Sequence, residues 1–268
     1  MKKKRLIPIL LLRNGSLVQS IDFSEYLILG NPVEAVKRLS EWAADEIIYL
    51  DISGGEKFDA GRSDLGNAFK RTFREVIVDV ADATFMPMTV GGKIRNRTDI
   101  AERLSQGADK VSLNTIAFDN FRMVEEAVLE FGSQCIVASI DYKEIDGKLR
   151  AMVDGGTRDT GLSPQSWSKR LEEIGVGEIL LNCIDRDGKK NGYDIETISE
   201  ISADLKIPVI ALGGVGNWEH FREALEKTDV DAVAAANIFQ HTDQSVYHAK
   251  KYLFDSGLSV REPMLLSI

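Results

Sequence analysis

The chain has 268 residues, 44% of them hydrophobic and 28% charged, which is the balance of an ordinary globular protein. With 33 basic against 42 acidic side chains and a net charge of −9, it presents no global positive field for nucleic acid. No run approaches the roughly 20 apolar residues of a membrane span. The basic start Lys2-Lys3-Lys4-Arg5 leads into a short apolar run with no small-residue cleavage site, so it reads as the entry to a strand and not as a targeting signal. From there, apolar runs and amphipathic stretches alternate. Strands are expected at 6–11, 46–51, 86–90, 110–113, 136–141, 178–183, 209–212 and 232–235, and helices at 32–44, 97–106, 121–131, 163–174, 195–203 and 218–225.

Eight strand–helix units in a chain of this size predict a single α/β domain, a (β/α)8 TIM barrel spanning residues 1–268. An internal repeat supports a closed barrel over an open sheet. Thr89-Val90-Gly91-Gly92, followed by Gly107 to Thr115, recurs about half a chain later as Ala211-Leu212-Gly213-Gly214, followed by Asp229 to Asn237. Two half-barrels, approximately 1–131 and 132–268, are the expected building blocks. The polar stretch 54–74 has no counterpart in the second half and is the expected inserted, partner-contacting or mobile segment. Cys135 and Cys183 lie within apolar runs and read as buried reduced thiols, which makes the cytoplasm the natural compartment.

The paired glycines come directly after strands, where the backbone N–H groups of such a turn and a following helix start favour an anion. Gly91-Gly92 with Asn114, and Gly213-Gly214 with Asn237, would lie on opposite sides of the C-terminal face, and a bis-phosphorylated ligand matches that spacing. Each pair taken alone is also compatible with a plain tight turn. Asp187-Gly188 would add backbone N–H groups to the second anion, or serve only as a loop turn. Asp141 ends the fifth strand on the face where such barrels hold their catalytic groups, and Asp51 ends the second. Either would serve as general acid or base, or be structural, holding loop N–H groups or an arginine. At the other strand ends, Arg5, Glu46, Lys110 and Glu178 would form a neutral ring that closes the barrel floor, which spacing alone makes a stabilising plug. His220, His241 and His248 lack zinc-ligand spacing, and no P-loop, dinucleotide fingerprint or serine elbow occurs, so no metal and no cofactor is expected.

Taken together, Asp45–Ile52 (Asp-Glu-Ile-Ile-Tyr-Leu-Asp-Ile), Thr89–Gly92, Gly107–Thr115, Phe131–Gln134, Gly177–Leu181 and Ile184–Gly188 resemble the cyclase subunit of imidazole glycerol phosphate synthase over nearly the whole chain. The resemblance implies a barrel of duplicated halves that receives ammonia from a glutaminase subunit on its bottom face. It also implies a top-face site for a bis-phosphorylated ribosyl substrate. Gly91, Gly92, Asn114 and Thr115 would form one phosphate site, and Asp187, Gly188, Gly213, Gly214 and Asn237 the other. Arg5, Glu46, Lys110 and Glu178 would be the charged gate on the ammonia tunnel, and Asp109 and Gln134 would belong to the glutaminase-facing surface.

The top face departs from that family. An aspartate on strand one and another on strand five are the family's acid and base, and here these positions hold Leu11 and Asp141. Gln19 replaces the first loop's lysine, and Lys93 stands where a third glycine is usual. One proton-transfer group is typically worth ~10²–10⁴ in rate, so ring closure is expected to be weak or absent. Leu10-Leu11-Leu12-Arg13-Asn14-Gly15, with Gly30-Asn31-Pro32, is similar to a divergent branch that serves acetamidino-sugar formation in surface-polysaccharide (lipopolysaccharide) biosynthesis. There the barrel would pass ammonia to a separate ATP-dependent sugar amidotransferase. The alternative is a working cyclase and lyase of histidine biosynthesis.

Overall fold

Alternating residues of each short apolar run point to opposite sides of a strand, and in this chain both sides are apolar, which demands cover on both faces. A barrel wrapped by helices supplies it. The computed structural model describes residues 2–21, 23–54, 73–83, 86–240 and 243–265. In chain order the elements are β1 (Arg5–Arg13), β2 (Ser16–Ile21), β3 (Glu25–Gly30), α1 (Pro32–Glu41), β4 (Ile47–Asp51), α2 (Phe73–Asp82), β5 (Met88–Gly91), α3 (Arg97–Ser105) and β6 (Lys110–Leu113). They continue with α4 (Thr115–Asp119), α5 (Phe121–Phe131), β7 (Ile136–Ile145), β8 (Lys148–Val153), β9 (Arg158–Asp159), α6 (Pro164–Glu173) and β10 (Glu178–Cys183). The last are α7 (Ile195–Asp204), β11 (Val209–Leu212), α8 (Trp218–Lys227), β12 (Ala232–Ala235) and α9 (Ser245–Asp255).

The staves run β10-β11-β12-β1-β4-β5-β6-β7, all parallel, and β10 pairs with β7 to close the ring. This is the (β/α)8 barrel, and each of the eight expected strands is one of its staves. Three helices were not expected from the pattern: α2, α4 and α9. The expected segment 54–74 falls almost entirely outside the described residues, as does His241.

Two antiparallel ribbons extend the barrel at its C-terminal face. β1 turns through Asn14-Gly15 into β2 and β3, both residues having positive φ, 52° and 81°, as a two-residue hairpin turn requires. β7 overruns its expected end by four residues and folds back as β8 and β9. Helix starts follow their cap chemistry. The Asn31 side chain accepts from Val33 N–H at 2.9 Å with Pro32 at the first helical position, and Ser163-Pro164 repeats the device on α6.

The repeated motifs adopt matching local geometry. Asn96 caps α3 at φ −155°, ψ 175°, and Asn217 caps α8 at φ −155°, ψ 173°. Asp109 accepts from Met88 N–H and Asp231 from Val209 N–H, each tying one stave to the start of its neighbour. One buried charge lies outside the pattern. Lys250 of α9 is fully enclosed, its Nζ donating to Asp45 and to the Ala43 carbonyl, while Asp45 also accepts from Leu6 N–H at 3.0 Å.

Candidate functional site

Period-two alternation sorts the barrel interior into layers. On β1 the inward residues are Arg5, Ile7, Ile9 and Leu11; on β10 they are Glu178, Leu180 and Asn182. The lowest layer is the charged ring. Arg5 donates to Glu46 at 2.6 Å and to Glu178, and Lys110 Nζ donates to Glu46 at 2.7 Å and Glu178 at 3.0 Å. Every cation thus meets both carboxylates and every carboxylate both cations. Thr89 adds a hydroxyl to Glu46 at 3.1 Å. The glutamate side chains are 3% and 7% exposed and the cations 20%, so these pairs are far less hydrated than surface bridges. Burial opposes the Arg5 charge, yet Glu178 and Glu46 outweigh it and hold the guanidinium above its ordinary pKa.

Above the ring lies an apolar layer that includes Ile7, Ile48, Val137, Ile210 and Ala232. A cavity of about 790 Å³ follows, its floor including Ile9, Ser112, Ser139, Leu180 and Leu212. Leu180 is two residues beyond Glu178, so the ring and the cavity are separated on that stave by only ~7 Å. The upper walls differ in character. Asn114, Asp141 and Asn182 stand on adjacent staves, whereas Leu11, Leu50 and Ala236 line the facing side.

Asp141 is the chemical centre of the polar wall. Its Oδ1 accepts from Asn182 Nδ2 at 2.9 Å and its Oδ2 from Asn114 Nδ2 at 3.1 Å. Burial raises its pKa from 3.8 to about 6; the Asn182 bond pulls it down, Asp187 pushes it further up, and the Asn114 bond pulls it down. A carboxyl titrating near neutrality is suited to exchanging a proton. Leu11, four staves away across the barrel, supplies no partner for that exchange. Asp51 also lines the cavity, but it accepts from Ser53 N–H at 2.9 Å and its other oxygen faces Lys93 Nζ at 3.4 Å. That arrangement pins the loop after β4.

The two glycine loops expected to hold anions lie at either side of this centre. Gly92, Asn114 and Thr115 line the large cavity, while Asp187, Gly188, Gly213, Gly214 and Asn237 line a second cavity of about 210 Å³. Asp187, Leu212 and Ala236 belong to both, so the two spaces are continuous. Gly91 ends β5 beside the first of them. A Cβ on Gly92 would sit 2.2 Å from the Asp51 carbonyl oxygen, and one on Gly214 2.1 Å from that of Gly192. Only glycine fits these turns, whose φ values are +98° and +93°.

One expectation changes. Asp187 does not offer its N–H to an anion, because Ile184 O takes it in a tight turn. Its carboxylate instead accepts from Ser20 Oγ at 2.9 Å and Phe23 N–H at 3.4 Å, clasping the β2–β3 ribbon. Asn237 reinforces the clasp by donating to Ser20 O at 2.8 Å.

Five aspartates line the large cavity, namely Asp51, Asp119, Asp141, Asp154 and Asp187, against Lys93 and Arg95. Arg158 neutralises Asp119 and Asp154 from outside. An anion held here would therefore have to be bound mainly by backbone N–H groups and helix starts and not by side-chain charge. Lys190, which lines the smaller cavity, is the exception that sequence reading passed over. Asn182 was also missed, although a polar residue four beyond Glu178 in an apolar strand shares its inward face. Asp109 and Gln134 are exposed beside the N-terminal ends of β6 and β7, on the face that carries the ring. Among the described residues, no group of three or more His, Cys, Asp or Glu is arranged to hold a metal ion, and no helix is long and apolar enough to cross a membrane.

Comparison with known proteins agrees with this layout. The family model described as "Histidine biosynthesis protein" matches residues 5–245. The imidazole glycerol phosphate synthase subunit HisF of Metallosphaera sedula is 41% identical over 261 residues, covering 97% of this chain and 100% of that protein. The subunit of the same name from Clostridium botulinum is 40% identical over 260 residues, covering 96% and 98%. With its barrel, its floor ring and its paired loops, the chain belongs to the histidine biosynthesis protein family and is HisF-like within it.

Proposed function

We propose that this barrel is an ammonia-conducting synthase subunit. It takes ammonia from a glutaminase docked on the ring face, near Asp109 and Gln134. It releases the ammonia into a cavity that holds a phosphorylated ligand between the Gly91-Gly92-Asn114-Thr115 and Gly188-Gly213-Gly214-Asn237 loops. The ring is the gate: its four contacts fill the axis as it stands, so passage requires at least one of them to part. Asp141 is the group that exchanges protons with whatever occupies the cavity, and Asp51 orders the loop beside it.

The observation that carries the reading is an intact Arg5–Glu46–Lys110–Glu178 ring beneath a cavity whose acid–base pair is reduced to one member, Asp141 facing Leu11. Such a protein keeps the apparatus for delivery and has given up one group needed for ring closure. Its ammonia then serves another enzyme, and amidine formation on a surface-polysaccharide sugar by an ATP-dependent amidotransferase fits the Leu11-type strand. The names of the relatives favour a second reading, a working cyclase in which Asp141 acts with water.

Two assays separate them. Glutaminase turnover by a candidate partner is measured with and without the barrel, and ring closure of the ribosyl aminoimidazole precursor is measured with ammonium salt and the barrel alone. Activation without closure supports delivery. Closure at a rate that Leu11→Asp does not improve supports the cyclase, and absence of both effects refutes the two together.

A further inference from the structure

The hydrogen bonds around Asp141 form a chain that runs the width of the cavity mouth. Asn114 donates to Asp141 Oδ2, and its own Oδ1 accepts from Thr115 Oγ1 at 3.3 Å. Thr115 Oγ1 in turn accepts from Asp154 N–H at 3.0 Å. On the other side, Asn182 donates to Asp141 Oδ1, while its Oδ1 lies against Gly213, 3.4 Å from where a Cβ on that glycine would sit. The Asp141 carboxylate is therefore suspended between two amides, one beside Thr115 and the other packed against Gly213.

The direction of these bonds is chemically fixed. An ionised carboxylate only accepts, so each amide must turn its NH₂ toward it and its oxygen away. A protonated carboxyl keeps one full acceptor oxygen and turns the other into a hydroxyl, a poorer acceptor for the NH₂ that faces it, so two amide donors favour the ionised form. Both amides therefore favour one protonation state and fix one orientation of the carboxylate. Burial, with Asp187, pushes the other way and leaves the pKa at about 6, and the clamp keeps it from rising further.

We propose that Asn182 and Asn114 are positioning residues that hold the Asp141 carboxylate ionised and aimed into the cavity, making it a proton acceptor toward the ligand that spans the two anion loops. The inference rests on the reading of Asp141 as the proton-exchanging group, but the clamp itself can be tested without any activity. Asn182 has no role in the resemblance from which the other site residues were expected. Its position between Asp141 and Gly213 assigns it one.

The test is a carboxyl ¹³C titration of Asp141, identified by its loss in Asp141→Asn. In the wild-type protein, the side-chain NH₂ signals of Asn114 and Asn182 should shift with the same midpoint as the carboxyl. In Asn182→Leu, which keeps the branched outline and removes the donor, the midpoint should rise by about one to two pH units. That is a tenfold to hundredfold gain in proton affinity, as expected when a bond to a charged group is lost. Asn114→Leu should raise it as well, and Asn182→Gln should restore part of the shift.

Wild-type amide signals that do not follow the carboxyl, or a midpoint that stays put or falls in either leucine variant, would overturn the clamp. The wild-type measurement stands even where a variant does not fold. A confirmed clamp in a protein that neither activates a glutaminase nor closes a ring would sink the functional reading and leave this one intact.

Discussion

Replacing Lys110 by methionine gives the sharpest measure of what the floor ring is worth. The side chain keeps its length and loses contacts of 2.7 Å to Glu46 and 3.0 Å to Glu178. Two carboxylates that are 3% and 7% exposed are then left to Arg5 alone. Breaking a buried pair by removing one partner costs about 3–5 kcal/mol. The Thr89 hydroxyl keeps its bond to Glu46 and trims that figure, so about 3 kcal/mol is expected near pH 8.

The loss should also depend on pH. An uncompensated buried carboxylate gains a raised folded-state pKa, so the variant binds a proton more tightly folded than unfolded. Its deficit is greatest above that pKa and shrinks as acidification supplies the proton. Urea unfolding of both proteins near pH 8 and near pH 5.5 reads the effect directly. A deficit below about 1 kcal/mol at both values, the behaviour of exposed ion pairs, would refute the view of the ring as a desolvated, interlocked unit.

Asp141→Asn should change the pH slope of stability. The raised carboxyl, titrating at about 6, favours the folded state below its ordinary pKa, and that contribution is lost as pH rises through 6. Between about pH 4 and 7 the variant should therefore gain on the wild type by roughly 2 kcal/mol in denaturant unfolding; parallel curves would count against it. Gly214→Ala forces a Cβ to 2.1 Å from Gly192 O, whereas Gly257→Ala, at a similar φ of +82°, meets nothing within 4 Å. The second should cost only the strain of its backbone, about 1–3 kcal/mol. The first should cost clearly more and weaken inorganic phosphate binding at least tenfold by ³¹P line broadening, and equal costs would show the turn to be adaptable. Lys250→Met strands the Asp45 carboxylate with Arg261 at 3.4 Å and should destabilise by about 3 kcal/mol. Adding Asp45→Asn should recover part of that loss, and strict additivity in a double-mutant cycle would contradict the pairing.

The alternation of strand and helix was legible because each stave is a short apolar run between turn signals, and the eight expected staves lie within a few residues of their places. The ribbons were not. Ser16–Ile21 and Glu25–Gly30 are partly apolar, but they fall between the first stave and α1, where a plain strand–helix alternation has no place for them; β2 buries Leu17 to Ser20, while β3 leaves Leu27 and Ile28 exposed. β7 was cut short because Asp141 looks like a strand end, while the backbone pairs on through Lys143-Glu144-Ile145 with β8. Among site residues, the ring was readable from charge at strand starts, and Asp141 as the acid that closes the apolar run 136–140. Asn182 and the Asp187–Ser20 clasp were not readable, because they depend on which neighbours the barrel brings together across 41 and 167 residues of sequence.

In the proposed passage of ammonia, the layer of Ile7, Ile48, Val137, Ile210 and Ala232 would act as a dielectric filter. Any species moving along the axis must exchange water for hydrocarbon over ~7 Å. For a neutral molecule the size of ammonia that exchange is a modest loss of hydrogen bonds. For ammonium it is the desolvation of a full charge, several kcal/mol even after the surroundings relax. Sodium, potassium and hydronium face the same barrier, so the barrel can be porous to a base while remaining insulated against the cations of its solvent. On that reading, protonation of what emerges is decided in the cavity beside Asp141, whose burial raises its pKa to about 6.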